Sequence, residues 1–314
     1  MSRSTRASLS LALMLLGVLT AVLAAGCGRS GPAPVGSSGQ GTQRFLVVAA
    51  ENFWGSLAAQ LAGDRAAVRS IIVNPATDPH SYQPSTSDAR LLAQSNMAIV
   101  NGLGYDAWAP QLLRASPSSE RIVLDVGRRL GLAEGVNPHR WYYPSDVQRV
   151  IGAIVASYDR LDPADAAYFN IRRELLLTHG LRSYTRLLAE IRGRYADVPV
   201  GYSESIFQGL GEYLGLDLKT PASFAKAVAD GTDVTAKDKE TVDAQASSGA
   251  IKVWIFNSQN VTPDVQRVNQ IVRSRGIPVV PVTETLSPAT SSFQAWQTAQ
   301  LKSLLQALGR AGGR

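Results

Sequence analysis

The sequence predicts an α/β protein of two parallel-sheet lobes joined by one long helix. Three observations predict it. Short apolar, β-branched runs alternate with segments of helical period in the first half of the chain. The same alternation returns in the second half. Between the halves lies a stretch of about thirty residues of helical pattern, broken only by Gly180, which as a helix would run roughly 45 Å.

In the first half the predicted strands are Phe45–Ala50, Val68–Val73, Met97–Asn101 and Ile122–Asp125. A helix is expected over Val147–Tyr158, capped by Ser145 or Asp146. Asp162-Pro163 then restarts helical pattern, with Asp162 as cap and Pro163 in the first turn. The linking helix runs from there to Tyr195, with a cost of about 1 kcal/mol at Gly180. The second half predicts strands at Val198–Tyr202, Ile251–Phe256 and Ile277–Val282, and helices from Glu204 to Leu214 and on to Arg275. Residues 225–245 read as helix plus loop, and Phe293–Leu308 as an amphipathic closing helix. No solenoid-period repeat is present, and self-similarity does not relate the halves.

The 314 residues are 45% hydrophobic and 18% charged, a globular composition with material for two domains. The net charge of +6 is scattered rather than clustered, which argues against nucleic acid as a partner. Arg3 and Arg6 precede an apolar stretch from Leu9 to about Ala25, and Leu23-Ala24-Ala25-Gly26 leads into Cys27, the one cysteine of the chain. That pattern is a signal peptide over 1–26 with a lipid-attachment cysteine at 27, although Ala24 stands where such motifs usually carry Leu. Gly, Ser and Pro dominate as far as residue 43, a tether. The predicted organisation is therefore leader 1–26, lipidated Cys27 and linker 27–43, N-terminal lobe 44–161, linking helix 162–195 and C-terminal lobe 196–314. With Cys27 lipidated, neither a disulfide nor a thiolate metal site is available.

Two of the three histidines sit in proline-bounded turns after apolar runs. These are Asp78-Pro79-His80-Ser81-Tyr82-Gln83-Pro84 and Asn137-Pro138-His139-Arg140-Trp141-Tyr142-Tyr143-Pro144. Such loops hold an imidazole with little motion, as a metal site requires, although two surface loop histidines would look the same. His179, inside the long helix between Leu177 and Leu181, reads as a packing or solvent-facing residue. Glu51 ends a strand, either behind His80 or as a helix cap. The five tryptophans read as core or interlobe packing.

The two loops, with Glu51-Asn52-Phe53-Trp54-Gly55, Ser87-Asp88 and Asn101-Gly102-Leu103-Gly104-Tyr105, resemble the solute-binding lipoproteins of bacterial zinc and manganese ABC importers, the cluster A-I metal-binding family. The resemblance runs from about Arg44 to Leu308. Gln83 replaces the Glu usual in the first loop. The resemblance implies a metal site in the interlobe cleft, with His80 and His139 from the N-terminal lobe. In the same register Glu204, in Ser203-Glu204-Ser205-Ile206-Phe207, stands at the third ligand position. Glu284, in the loop after the last strand, stands at the fourth, where many members carry Asp at a different spacing. It further implies one divalent ion, Zn2+ or Mn2+, as transported ligand, an ABC permease and ATPase as partners, a monomer anchored outside the cytoplasm by its N-terminal lipid, and no enzymatic activity.

Two imidazoles and two carboxylates form a mixed N/O set that neutralises a divalent ion and disfavours copper(I). Glu204 and the lack of a His-rich loop tilt the reading toward manganese. A zinc hydrolase is the weaker alternative: there is no His-Glu-x-x-His, and the candidates fall one per loop. A binding protein for another solute, such as a metal chelate, would require an Arg-lined or aromatic pocket. A surface adhesin has no direct support in the sequence.

Overall fold

Among the described residues the apolar runs become eight strands in two four-stranded sheets. The computed structural model describes residues 44–77 and 79–312, with the backbone alone for His80. The leader, Cys27 and the linker lie outside the described residues. In the N-terminal lobe, β1 (Phe45–Glu51), β2 (Ala66–Ile72), β3 (Met97–Val100) and β4 (Ile122–Asp125) lie in the order β2-β1-β3-β4, all parallel. Helices α1 (Asn52–Ala62), α2 (Thr86–Gln94), α3 (Trp108–Ala115), α4 (Val126–Leu130) and α5 (Pro144–Leu161) surround this sheet. Helices on both faces explain why β1 and β3 are apolar without alternation: their side chains are buried either way they point.

Two further helices, α6 (Ala166–Leu175) and α7 (Arg182–Tyr195), lead to the second lobe. There β5 (Pro199–Tyr202), α8 (Gln208–Leu214), β6 (Asp217–Leu218), α9 (Ala222–Ala229), α10 (Ala236–Ser248), β7 (Val253–Asn257), α11 (Pro263–Ser274), β8 (Val279–Val282) and α12 (Phe293–Gly312) follow in chain order. Their sheet has the order β6-β5-β7-β8, again all parallel. The lobes therefore share one topology, a relation that the side chains do not reveal. In each, the chain leaves the first strand in one direction and returns to its other side. That places a topological switch point at the carboxyl ends of β1 and β3, and of β5 and β7, where open α/β sheets bind ligands.

Three local expectations are corrected. Helix α5 begins one residue before Ser145, with Pro144 in its first turn and Tyr143 at the cap, because a proline at the first helical position forfeits no hydrogen bond. Asp162 makes no side-chain cap, and Pro163–Asp165 form a separate 3-10 turn. The linking helix is also not uniform. Between α6 and α7 the residues Leu176–Gly180 form a π turn, closed by Leu181 N–H donating to Leu176 O at 2.8 Å.

The linking segment divides its packing between the lobes. Helix α6 lies against α1 and α5, while α7 lies against α8 and α12. Arg172 fastens the first half by donating from Nε and Nη2 to Gln60 O at 2.9 and 2.6 Å. One hydrophobic cluster, the largest of three among the described residues, runs through both lobes, from Phe53 and Trp54 through Trp141 and Tyr184 to Trp296 and Leu308. Polar contacts cross with it. Asn52 Oδ1 accepts from Leu286 N–H at 3.1 Å, Ser56 Oγ from Phe293 N–H at 2.9 Å, and Tyr142 Oη donates to Thr283 O at 2.8 Å. Gly209 of α8 lies so close to Tyr143 that a β-carbon there would sit 2.2 Å from its ring. Wide separation of the lobes would expose this shared core, so the fold favours small relative shifts. Among the described residues no helix is long and apolar enough to cross a membrane.

Candidate metal centre

The centre forms where the strand ends of both lobes face each other. His139, Glu204 and Glu284 each offer a ligand atom, and these atoms lie within 4.8 Å of one another. All three are buried, at 0%, 0% and 1% exposure, and buried carboxyls at that spacing are stabilised by a cation or by a shared proton. The structure thus brings three of the four sequence candidates together. The backbone of the fourth, His80, lies in the 3-10 turn Pro79–Ser81, and its side chain lies outside the described residues.

The loop around His139 sets its imidazole. Asn137 Nδ2 donates to Ser205 O at 2.7 Å, which orients Asn137 Oδ1 toward His139. That oxygen accepts from His139 N–H at 3.1 Å and lies 2.8 Å from Nδ1. With Nδ1 donating to Asn137 Oδ1, Nε2 faces the centre, 3.8 Å from Glu204 Oε1. Asn101 Nδ2 holds the preceding carbonyl, Pro138 O, at 2.9 Å. The imidazole packs edge-on to Trp141 and Tyr105, with ring centroids 5.3 and 5.8 Å away.

The two glutamates share one amide. Glu204 has extended backbone just after β5, and Glu284 follows β8. Asn257, at the end of β7, donates one Nδ2 hydrogen to Glu204 Oε2 and the other to Glu284 Oε1, both at 2.8 Å. The second oxygen of Glu284 accepts from Tyr105 Oη at 2.6 Å, a bond from one lobe to the other. Burial, and next the charge of Glu284, push the Tyr105 hydroxyl well above its usual range, so it remains a donor. Gln259 Oε1 secures the Glu284 loop by accepting from the backbone N–H of Glu284 at 2.5 Å and of Thr285 at 3.1 Å.

Sequence reasoning did not find Asn257, and it quoted Tyr105 without a role. An asparagine closing an apolar run in each half, Asn101 and Asn257, was the available signal. Replacing Asn257 with alanine is expected to weaken metal binding about 10- to 100-fold, because both carboxylates lose the donor that orients them. A competitive metal titration checks this, and unchanged affinity would show that the carboxylates hold their places without it.

The remaining sequence candidates fall as follows. Asp88 Oδ2 accepts from Tyr82 Oη at 2.8 Å and from Ser85 N–H at 2.7 Å, so Ser87-Asp88 braces the His80 loop and caps α2. His179 is exposed in the π turn, remote in sequence from the centre and next to Arg182. Glu51 makes no side-chain cap, which excludes that reading of it. A cavity of about 540 Å³ opens beside His139, lined also by Tyr105, Asn137, Ser205, Lys226 and Asp230. Its lysine is paired with Asp230 at 2.5 Å, and among the described residues no arginine lines it.

Two parallel-sheet lobes meeting over buried imidazole and carboxylate side chains fit a class of metal-binding solute-binding proteins. The chain belongs to the ZnuA family, described as zinc-uptake complex component A, periplasmic, whose family model matches residues 47–307. It is accordingly a binding component of a metal-uptake system and not an enzyme. The manganese-binding lipoprotein MntA of Halalkalibacterium halodurans is 25% identical over 214 residues, covering 64% of this chain and 66% of that protein. The iron-binding protein YfeA of Yersinia pestis is 25% identical over 258 residues, covering 78% and 71%. Among solved structures, the periplasmic zinc-binding protein TroA of Treponema pallidum superposes with a TM-score of 0.68 at 18% identity, covering 84% of this chain and 99% of that one. A manganese-bound periplasmic metal-binding protein of Candidatus Liberibacter asiaticus gives 0.69 at 18% identity, covering 84% and 100%. The fold expectation is met by these neighbours.

Proposed function

We propose that the protein captures one divalent transition-metal ion, Mn2+ or Zn2+, through His80, His139, Glu204 and Glu284, and delivers it to an ABC permease driven by its ATPase. The observation that carries this reading is the convergence of three buried ligand-type side chains from both lobes within 4.8 Å. Two carboxylates and two neutral imidazoles leave a divalent ion formally neutral, which makes its burial feasible. The oxygen pair suits manganese, and zinc accepts the same donors tetrahedrally. By the Irving–Williams order zinc binds at least as tightly in vitro, so cellular supply decides which metal is carried. A bare ion is favoured over a chelate, because three candidate ligand atoms themselves converge within 4.8 Å in a fully buried position.

The shared core supports capture and release through small lobe shifts. The relatives include a lipoprotein, which supports acylation of Cys27 and attachment of a monomer to the outer face of the cytoplasmic membrane or the periplasmic side of an envelope. Cys27→Ala should release the protein from the membrane fraction, and continued membrane association would refute the anchor. The metal reading is tested by calorimetric titration of the metal-free protein with Zn2+ and Mn2+. One site per chain, lost in His139→Ala, is expected; absence of binding by the unmodified protein would return the cleft to an organic ligand.

A further inference from the structure

The shared topology places a glutamate at the same point in both lobes. In the C-terminal lobe Tyr202 lies opposite Ile255, so Glu204, two residues on, is level with Asn257. In the N-terminal lobe Ala49 lies opposite Ile99, so Glu51, two residues on, is level with Asn101. Both glutamates are fully buried. Their neighbours differ. Asn257 turns its amide N–H to Glu204, whereas Asn101 turns away from Glu51: its Oδ1 accepts from Trp54 Nε1 at 3.1 Å, and its Nδ2 serves Pro138 O.

Glu51 instead meets a second buried carboxyl, that of Asp106. Two ionised carboxylates in that contact would repel strongly, while one proton between them makes a short charge-assisted hydrogen bond. The surroundings decide which group carries it. Asp106 accepts from Asn101 N–H at 2.6 Å and Gly102 N–H at 2.8 Å, both of which favour its ionised form. Beyond its own backbone, Glu51 has no N–H donor among the described residues. Burial, then Asp106, push Glu51 well above the usual carboxylate range, while Asp106 rises only to about 6, burial being opposed by its backbone donors.

We infer that Glu51 is held as a neutral carboxylic acid that donates its proton to Asp106, and that this pair positions the His139 loop. The linkage runs from Glu51 to Asp106, through the Asn101–Gly102 backbone to the Asn101 side chain, and on to Pro138 O beside His139. One fold position thus carries an anion in the C-terminal lobe and a neutral acid in the other. The proton also limits the pair to the one negative charge on Asp106, so Glu51 itself adds none beside the two carboxylates of the centre. This positioning role rests on the metal centre proposed above, but the proton itself does not.

Two readouts separate the parts. In the metal-free protein at neutral pH, the infrared difference between the unmodified chain and Glu51→Gln should contain the C=O stretch of a protonated carboxyl. Glu51→Gln, whose amide N–H can replace the acid O–H as donor to Asp106, should keep the Kd for Zn2+ within about threefold. Glu51→Ala should weaken it about tenfold or more, as loss of an outer hydrogen-bond partner does in metal sites. Absence of the band, with Glu51→Gln weakening zinc as much as Glu204→Gln, would make Glu51 a charged ligand and overturn the inference. A Glu51→Ala protein that binds like the parent would overturn the positioning role. If Glu51→Ala does not fold, Glu51→Gln and the infrared band still decide. If the unmodified chain binds no metal, the proposed function fails while the band still tests the proton.

Discussion

Glu204→Gln is expected to weaken metal binding by at least about a hundredfold, beyond the loss typical of an outer partner, and to raise the melting temperature of the metal-free protein. The two effects share one cause. Glu204 and Glu284 are buried and accept from the same Asn257 amide, so without metal two carboxyl groups crowd one donor, and their charges repel whenever both ionise in a medium that screens them poorly. Replacing one carboxylate by an amide of the same shape removes that repulsion, and about 1 kcal/mol of relief corresponds to roughly 2–4 °C in a chain of this size. With a divalent ion the sign reverses: the variant leaves a buried net positive charge and one oxygen fewer. Metal should therefore stabilise the unmodified protein strongly and the variant little, because stabilisation follows the ratio of free metal to Kd. Thermal melts of both proteins with and without Zn2+ check this. A variant that melts below the parent when both are metal-free would show that the carboxylates are not in repulsive contact.

Such opposed requirements explain which parts of this molecule can be read from its residues. Strands buried on both faces leave continuous apolar runs, so seven of the eight are visible as Val- and Ile-rich segments, within a few residues at their ends. The eighth, Asp217–Leu218, is two half-buried residues whose strand character comes from pairing with Pro199 and Val200, a tertiary cause with no local trace. Asp146 was an expected helix cap but instead accepts from the Arg140 guanidinium, which also lies 3.6 Å over the Tyr143 ring. The π turn is set by where α6 and α7 must each dock, and Gly180 alone does not announce it. At the site, His139 is legible because prolines bracket it. Glu204 and Glu284 gain their meaning only from the register of the resemblance. Asn257 stays silent because its role is to reach two carboxylates that are 53 and 27 residues away in sequence.

Trp141→Ala should be the most damaging single change in the core beneath the centre, costing about 3–5 kcal/mol of folding stability. Trp141 is 0% exposed and stacks face to face on Phe53, with centroids 3.9 Å apart and planes 19° from parallel. Two further rings meet it edge-on, Tyr105 at 4.9 Å and His139 at 5.3 Å. One ring therefore supports α1, the loop that carries the Glu284 donor, and the imidazole. Alanine leaves a cavity against all three, and a close-packed interior relaxes only partly around such a void. Phenylalanine offers the control. The Trp141 indole N–H makes no hydrogen bond among the described residues, so Trp141→Phe sacrifices ring volume but no polar partner. The alanine variant should lose metal affinity as well as stability, since His139 and Tyr105 lose the wall that fixes their rotamers. The phenylalanine variant should keep most of both. Denaturant unfolding of the metal-free proteins, paired with zinc titration, checks this. Equal stability of Trp141→Ala and the parent would mean that the ring fills space without bracing the lobe. A Trp141→Phe protein as weak in zinc binding as Trp141→Ala would instead place the requirement on the indole itself.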